Sequence, residues 1–200
     1  MDVKLDSRTK WIGGGVAAAA AAGVAAWWLT RVETPPYTLV LKDGVLEVRA
    51  YGALTVATTR TKGQRQDALS RGFRVLADYI FAKSRDGEKI AMTAPVLSDA
   101  DGDSWRTRFV MPARFVDIAP PEPPAGIEIE TVAARRVAAI RFSGRADDRM
   151  LAEHEARLRE WLEEYGLKAT GPAEHAFYNA PFVPGPMRRN EVMLPVASIY

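Results

Sequence analysis

The 200-residue sequence contains no cysteine. That absence removes disulfides, thiolate metal sites, a c-type heme attachment and a lipoprotein anchor together. Histidine is nearly absent as well, occurring only at His154 and His175. No serine-histidine or two-histidine-carboxylate spacing is visible, so nucleophilic and metal-assisted catalysis lack their usual parts. The sequence also lacks an excess of one charge: Lys and Arg total 27 against 25 Asp and Glu, a formal +2. Residues 1–34 hold Lys4, Arg8, Lys10 and Arg31 against Asp2, Asp6 and Glu33, which leaves +1 for the rest. Such a balance offers no nucleic-acid footprint. With 48% hydrophobic and 26% charged residues, the chain is neither disordered nor collagen-like and can bury one sizeable core.

Charge is missing altogether from Trp11 to Leu29, a run of Ala, Gly, Val, Ile, Leu and Trp. As a helix it would extend roughly 28 Å, just enough to cross a bilayer. Lys4, Arg8 and Lys10 precede it and only Arg31 follows closely, so the positive-inside bias sends the following domain out of the cytoplasm. Trp27 and Trp28 suit an interfacial belt. The expectation is an N-terminal transmembrane anchor within residues 1–34, with residues 35–200 held at the extracytoplasmic side of the inner membrane. Secretion after cleavage is the alternative, because Val24-Ala25-Ala26 supplies small residues at a signal-peptidase offset. Gly13 to Gly15 weigh against a buried soluble helix.

The remainder contains an internal repeat. Glu47 to Gly63 aligns without gaps on Glu128 to Gly144 at a constant offset of 81. Identities fall at Glu47/Glu128, Ala53/Ala134, Val56/Val137, Ala57/Ala138, Arg60/Arg141 and Gly63/Gly144. After each glycine an amphipathic helical pattern follows, with Leu69, Phe73, Leu76 and Ile80 in one copy and Leu151, Leu158, Trp161, Leu162 and Tyr165 in the other. Each copy then closes with two extended segments, 89–97 with 105–111 and 174–182 with 190–196. Met92-Thr93-Ala94-Pro95 is read as the counterpart of Tyr178-Asn179-Ala180-Pro181. The proline-rich stretch 120–124 separates the copies, which cover about 45–112 and 126–196. The expected fold class is α+β: a β-β-α-β-β unit duplicated about a pseudo-twofold axis, because neither copy alone can bury its helix and sheet faces.

Glu47-Val48-Arg49 with Tyr51-Gly52, then Lys89-Ile90-Ala91-Met92-Thr93-Ala94-Pro95-Val96, Tyr178-Asn179-Ala180-Pro181-Phe182 and Arg189-Asn190-Glu191-Val192 resemble the SOUL heme-binding family over residues 37–197. The resemblance implies a distorted eight-stranded barrel with two helices. It also implies that heme or another porphyrin binds in a shallow apolar site formed by the first helix, here 66–82, and the loop before the last strand, here 182–189. Some animal members place a histidine after the arginine of the opening motif. This chain has Ala50 there, so His154 and His175 are the imidazole candidates for iron. His154 falls on the apolar stripe of the second helix and His175 alternates with Phe177 along a strand, and both are more simply read as packing residues.

A porphyrin needs a flat apolar surface and cations for its propionates. Phe182, Val183, Pro184, Pro186 and Met187 supply a proline-stiffened apolar segment, and Arg188 and Arg189 follow it as carboxylate forks. Arg71 and Arg74 on the first helix are further candidate cations. Asn190 and Glu191 read as a turn or strand-edge pair. The expected function is therefore tetrapyrrole binding without catalysis, by a domain whose partners are the ligand and, through residues 11–29, the membrane. Duplicated bodies of this kind also resemble GyrI-like small-molecule domains, some of them hydrolases, so a sensor or hydrolase is the alternative, followed by a protein-interaction module. Binding of an amphiphile but of neither hemin nor protoporphyrin would favour the first alternative, and an exposed apolar patch without a pocket the second.

Overall fold

The computed structural model describes residues 32–180 and 182–197. The apolar run 11–29 lies outside the described residues, and among those described no helix is long and apolar enough to cross a membrane. The described residues from Glu33 onward form nine strands and two α-helices. Strand β1 is Tyr37–Asp43, β2 Leu46–Tyr51, β3 Leu54–Lys62, β4 Val96–Asp101 and β5 Ser104–Val110. Then come β6 at Glu128–Val132, β7 at Arg135–Phe142, β8 at Glu174–Phe177 and β9 at Asn190–Val196. Helix α1, Arg65–Ile80, follows β3, and α2, Asp148–Glu164, follows β7.

The strands form one sheet in the order β1-β2-β7-β9-β8-β4-β5-β3-β6. With β1 set aside, that order reads the same from either end once the copies are exchanged, and the axis falls between β8 and β4. The copies are interlocked: β2 pairs with β7 and β3 with β6, so each copy lends its first strand to the other. Neither copy therefore has a complete sheet of its own, which is the physical reason the two fold as one body. Gly63 and Gly144 stand between the second strand and the helix of each copy at φ +108° and +118°, a region that a residue with a Cβ rarely enters.

Two expectations are corrected. The barrel expected from eight strands is an open curl of nine, because β1 pairs with β2 at one end of the sheet while β6 ends the other. Gly44, φ +57°, begins the two-residue connection from β1 to β2, the position where a II′ hairpin turn takes glycine. Secondly, residues 92–95 and 178–181 are not symmetry counterparts. The former precede β4 across a cis Ala94–Pro95 bond, whereas the latter follow β8. Val96 pairs with Phe177 in the antiparallel β4/β8 ladder, so the two segments lie at the same end of that pair.

Alternation along the strands sends one set of side chains to the helices and the other into the curl. On the helix side, α2 buries Leu151, Leu158, Trp161 and Leu162 against Val48, Ile140, Val192 and Leu194. Helix α1 buries Leu76, Tyr79 and Ile80 against Ala57, Val96 and Phe109. Tyr165, expected on the apolar stripe, follows α2 and is exposed. The Asp147 side chain caps α2 by accepting from Met150 N at 2.8 Å, a contact worth about 1 kcal/mol. Arg65 at the start of α1 is buried and reaches across to Asp148 and the Ala146 carbonyl, joining the beginnings of the two helices.

Helix α1 lies so close to β5 that a Cβ at Gly72 would stand 2.6 Å from Thr107 Oγ1 and 2.9 Å from Thr107 Cβ. Turning the hydroxyl away leaves the second clash in place. Gly72→Val is therefore expected to destabilise by about 2 kcal/mol or more, visible as a lower urea midpoint; an unchanged midpoint would mean that α1 can lift from the sheet without loss.

Candidate functional site

The inner face of the curl carries Val56, Leu97, Val110, Val137, Ala139, Ala176 and Met193 as an apolar floor. Charged side chains surround it. On β2 the period of two places Glu47, Arg49 and Tyr51 on this face, and on β9 it places Glu191 and Met193 there. Glu191 is 0% exposed and accepts five hydrogen bonds: two from Arg49 at 2.7 and 3.1 Å, two from Arg189 at 3.0 and 2.7 Å, and one from the Tyr178 hydroxyl at 2.8 Å. Arg49, 2% exposed, donates also to Glu47 at 2.8 Å. A second chain of ion pairs runs from Arg135 to Glu174 at 2.7 Å, on to Arg108, and from Arg108 to Asp99 at 2.6 Å. Asp99 is bound in turn by Arg106.

Burial alone would push the Glu191 carboxyl up, yet the donors and charges of Arg49 and Arg189 hold it below the ordinary carboxylate range. Burial works against the charge of Arg49 too, and Glu191 more than compensates, so its proton is held more tightly than usual. The Tyr178 phenol is displaced upward by burial and by the negative charge of Glu191. These groups are thus fixed in their charged or neutral forms across physiological pH. In these forms they can orient a ligand.

Between the chains of ion pairs the face dips into a cavity of about 210 Å³. Its walls include Tyr37, Tyr51 and Tyr178, its floor Leu97 and Met193, and its charged lining residues are Arg135 and Arg189. The Arg189 guanidinium lies 3.9 Å from the Tyr178 ring centre, a cation–π contact that fixes both groups.

The segment expected to bind the macrocycle lies elsewhere. Phe182 and Met187 are 77% and 69% exposed, with Pro184 and Pro186 also exposed. Val183 is turned inward, 6% exposed, so the outward apolar face consists of the other four. A single 3-10 turn at Gly185–Met187 shapes the segment. It rests on the approach to α2, where Gly144 N donates to Gly185 O at 3.0 Å and Asn190 Nδ2 to Gly144 O at 3.0 Å. Arg188 is half-buried and donates from Nε to Val183 O at 2.7 Å. Arg189 belongs to the inner face, engaged by Glu191, and not to the outward one.

Arg71 and Arg74 are exposed on α1; Arg71 donates to the Lys62 carbonyl and Arg74 to the Ser70 carbonyl. His154 is half-buried, stacks on Phe142 at 4.0 Å between ring centres, and has Nδ1 2.7 Å from Met150 O. His175 is 8% exposed on the helix side, beside Trp105 and Phe177. Both imidazoles are committed to packing contacts, His154 with Phe142 and His175 with Trp105 and Phe177.

A family model described as SOUL heme-binding protein matches residues 32–195. The chain belongs to the SOUL heme-binding family. No curated protein matches it in sequence. Among solved structures it resembles the C-terminal domain of EcmrR, with TM-score 0.60 and 12% identity over 82% of this chain and 99% of that one. A hydrolase from Listeria innocua matches with TM-score 0.53 and 12% identity over 78% and 94% of the two chains. An uncharacterized conserved protein from the same organism gives 0.53 and 12% over 76% and 92%. These likenesses show that the SOUL fold is shared, and nothing about ligands. The three tyrosines, Arg135 and Glu191 escaped the sequence reading of the site. Their one signal is the alternation Glu47-Arg49-Tyr51 and Glu191-Met193, which marks a common face without revealing that the face is enclosed.

Proposed function

We propose that this SOUL domain binds heme or another tetrapyrrole on the outward face of residues 182–189, with Arg71 and Arg74 of α1 as candidate cations for the propionates. The observation that carries the reading is the exposure of Phe182 and Met187 on a segment held by Pro184 and Pro186. Large apolar side chains kept outward by a stiff backbone offer area without an ordering cost. Covering about 300 Å² of apolar surface contributes about 7 kcal/mol before association costs. The inner cavity, about 210 Å³, is nearer in size to the roughly 150 Å³ that admits one benzene than to a macrocycle.

Titration of the full-length chain with hemin and with metal-free protoporphyrin is expected to give binding of both at micromolar strength or tighter. The paired change Phe182→Asp and Met187→Asp should weaken each at least tenfold, while His154→Ala and His175→Ala leave protoporphyrin binding in place. Binding indifferent to the paired aspartates would refute the location.

Residues 11–29 are proposed to anchor the chain in the inner membrane with the domain on the extracytoplasmic side, supported by the charge asymmetry around that run. A ligand that partitions into lipid suits a binder held at the membrane surface. Protease added to intact spheroplasts is expected to digest the domain; protection until lysis would place it in the cytoplasm.

A further inference from the structure

The cavity inside the curl is separate from the outward segment, and its chemistry is specific. Thr34 apart, its walls are apolar or aromatic, and its two charged lining residues are both arginines. The carboxylates that accompany them, Glu174 and Glu191, are buried behind the guanidiniums. Arg135 spends Nη2 on Glu174, and among the described contacts its Nε and Nη1 make none. Arg189 spends Nε and Nη2 on Glu191 and keeps Nη1. Among the described contacts, donors of both lining arginines are therefore left over, while the carboxylates Glu174 and Glu191 are consumed by ion pairs.

We infer that this cavity is a second binding site, selective for a small aromatic monocarboxylate of about one ring. The ring would lie among Tyr51, Tyr178, Leu97 and Met193, and the carboxylate would take the remaining donors of Arg135, with Arg189 beside it. Arginine forks match a carboxylate's two oxygens, and the buried partners hold the forks in place before a ligand arrives. An organic cation would meet two guanidiniums and no unpaired acid. A neutral ring would cover those cations without returning their lost hydration. The volume suits one ring with a carboxylate.

Calorimetry on the full-length chain with benzoate, benzyl alcohol and benzylamine tests the inference. Saturable benzoate binding is expected, with benzyl alcohol at least tenfold weaker and benzylamine weaker still. Arg135→Gln should reduce benzoate affinity at least tenfold and leave benzyl alcohol unchanged; Glu174 keeps Arg108 in that variant, so the fold is retained. Leu54→Trp, which fills the cavity from its rim without touching an ion pair, should abolish binding of all three. Hemin titration should be unaltered in both variants. Absence of benzoate binding, benzylamine binding as tight as benzoate, or indifference of benzoate to Arg135→Gln would overturn the assignment. Loss of hemin binding in either variant would show that the cavity is part of the tetrapyrrole site and not a second one.

Discussion

Replacing Glu191 with Ala is expected to destabilise the protein by about 3–5 kcal/mol, the cost of leaving a buried charge without its partner. The charge left behind is that of Arg49, which would keep Glu47, the face of the Tyr37 ring at 4.6 Å and a long contact to the Tyr51 hydroxyl at 3.4 Å. Arg189 is half-exposed and can turn to solvent, so it adds little to the loss. Removing both sides together separates the cost of an orphaned charge from the worth of the pair. Arg49→Met with Glu191→Leu should recover most of the loss, because apolar residues of similar volume commonly replace a buried ion pair without penalty. Urea unfolding of the single and double variants provides the comparison. A loss under 1 kcal/mol in Glu191→Ala would show that water reaches Arg49. Because the folded carboxyl titrates below its ordinary 4.5, the stability it contributes is present above pH 4.5 and is lost as pH falls through the lower folded value.

His175 governs a different pH window. Burial, reinforced by the positive charge of Arg65, lowers its pKa from 6.5 to about 4, against the opposing influence of Glu155, Asp99 and Asp148. The unfolded chain therefore binds a proton at His175 between pH 6.5 and about 4 while the folded chain does not. Stability should rise with pH across this interval, and about 3 kcal/mol present above pH 6.5 should be lost by pH 4. His175→Phe removes the titration, keeps a ring beside Trp105 and eliminates an Nδ1 that has no hydrogen-bond partner among the described residues. Its unfolding free energy should vary little from pH 6.5 to 4.5. An undiminished slope in this variant would assign the acid sensitivity to another group.

The sequence pattern made part of this architecture legible. The ungapped offset of 81 locates β2–β3 and β6–β7, and the paired glycines mark the same left-handed backbone before each helix. The expected final segment 190–196 coincides with β9. Segment 89–97 does not: the chain enters β4 only at Val96. Periodicity specifies which residues share a face but not which strands pair, so the exchange of β2 and β6 between copies was hidden. The same limit concealed the inner site. A curled sheet encloses its second face, and Arg49, Glu191, Glu174 and Asp99 then become buried partners, whereas a period of two reads charged alternate positions as facing water. The exposed segment was legible because Pro184, Pro186 and Met187 are local signals of a stiff apolar loop. The inward turn of Val183 and the capture of Arg189 by Glu191 depend on long-range packing that no local signal carries.

On the proposed reading the macrocycle sits on the outside of the interlocked body, against residues 182–189, and leaves the inside of the curl to a smaller anion. Amide chemical-shift mapping of the full-length chain with metal-free protoporphyrin tests it most directly. Perturbations are expected to concentrate at Phe182, Gly185, Met187 and Arg188 and along α1 near Arg71, with Tyr51, Leu97 and Met193 undisturbed. Perturbations centred on Tyr51, Tyr178 and Met193, with residues 182–188 unmoved, would contradict it.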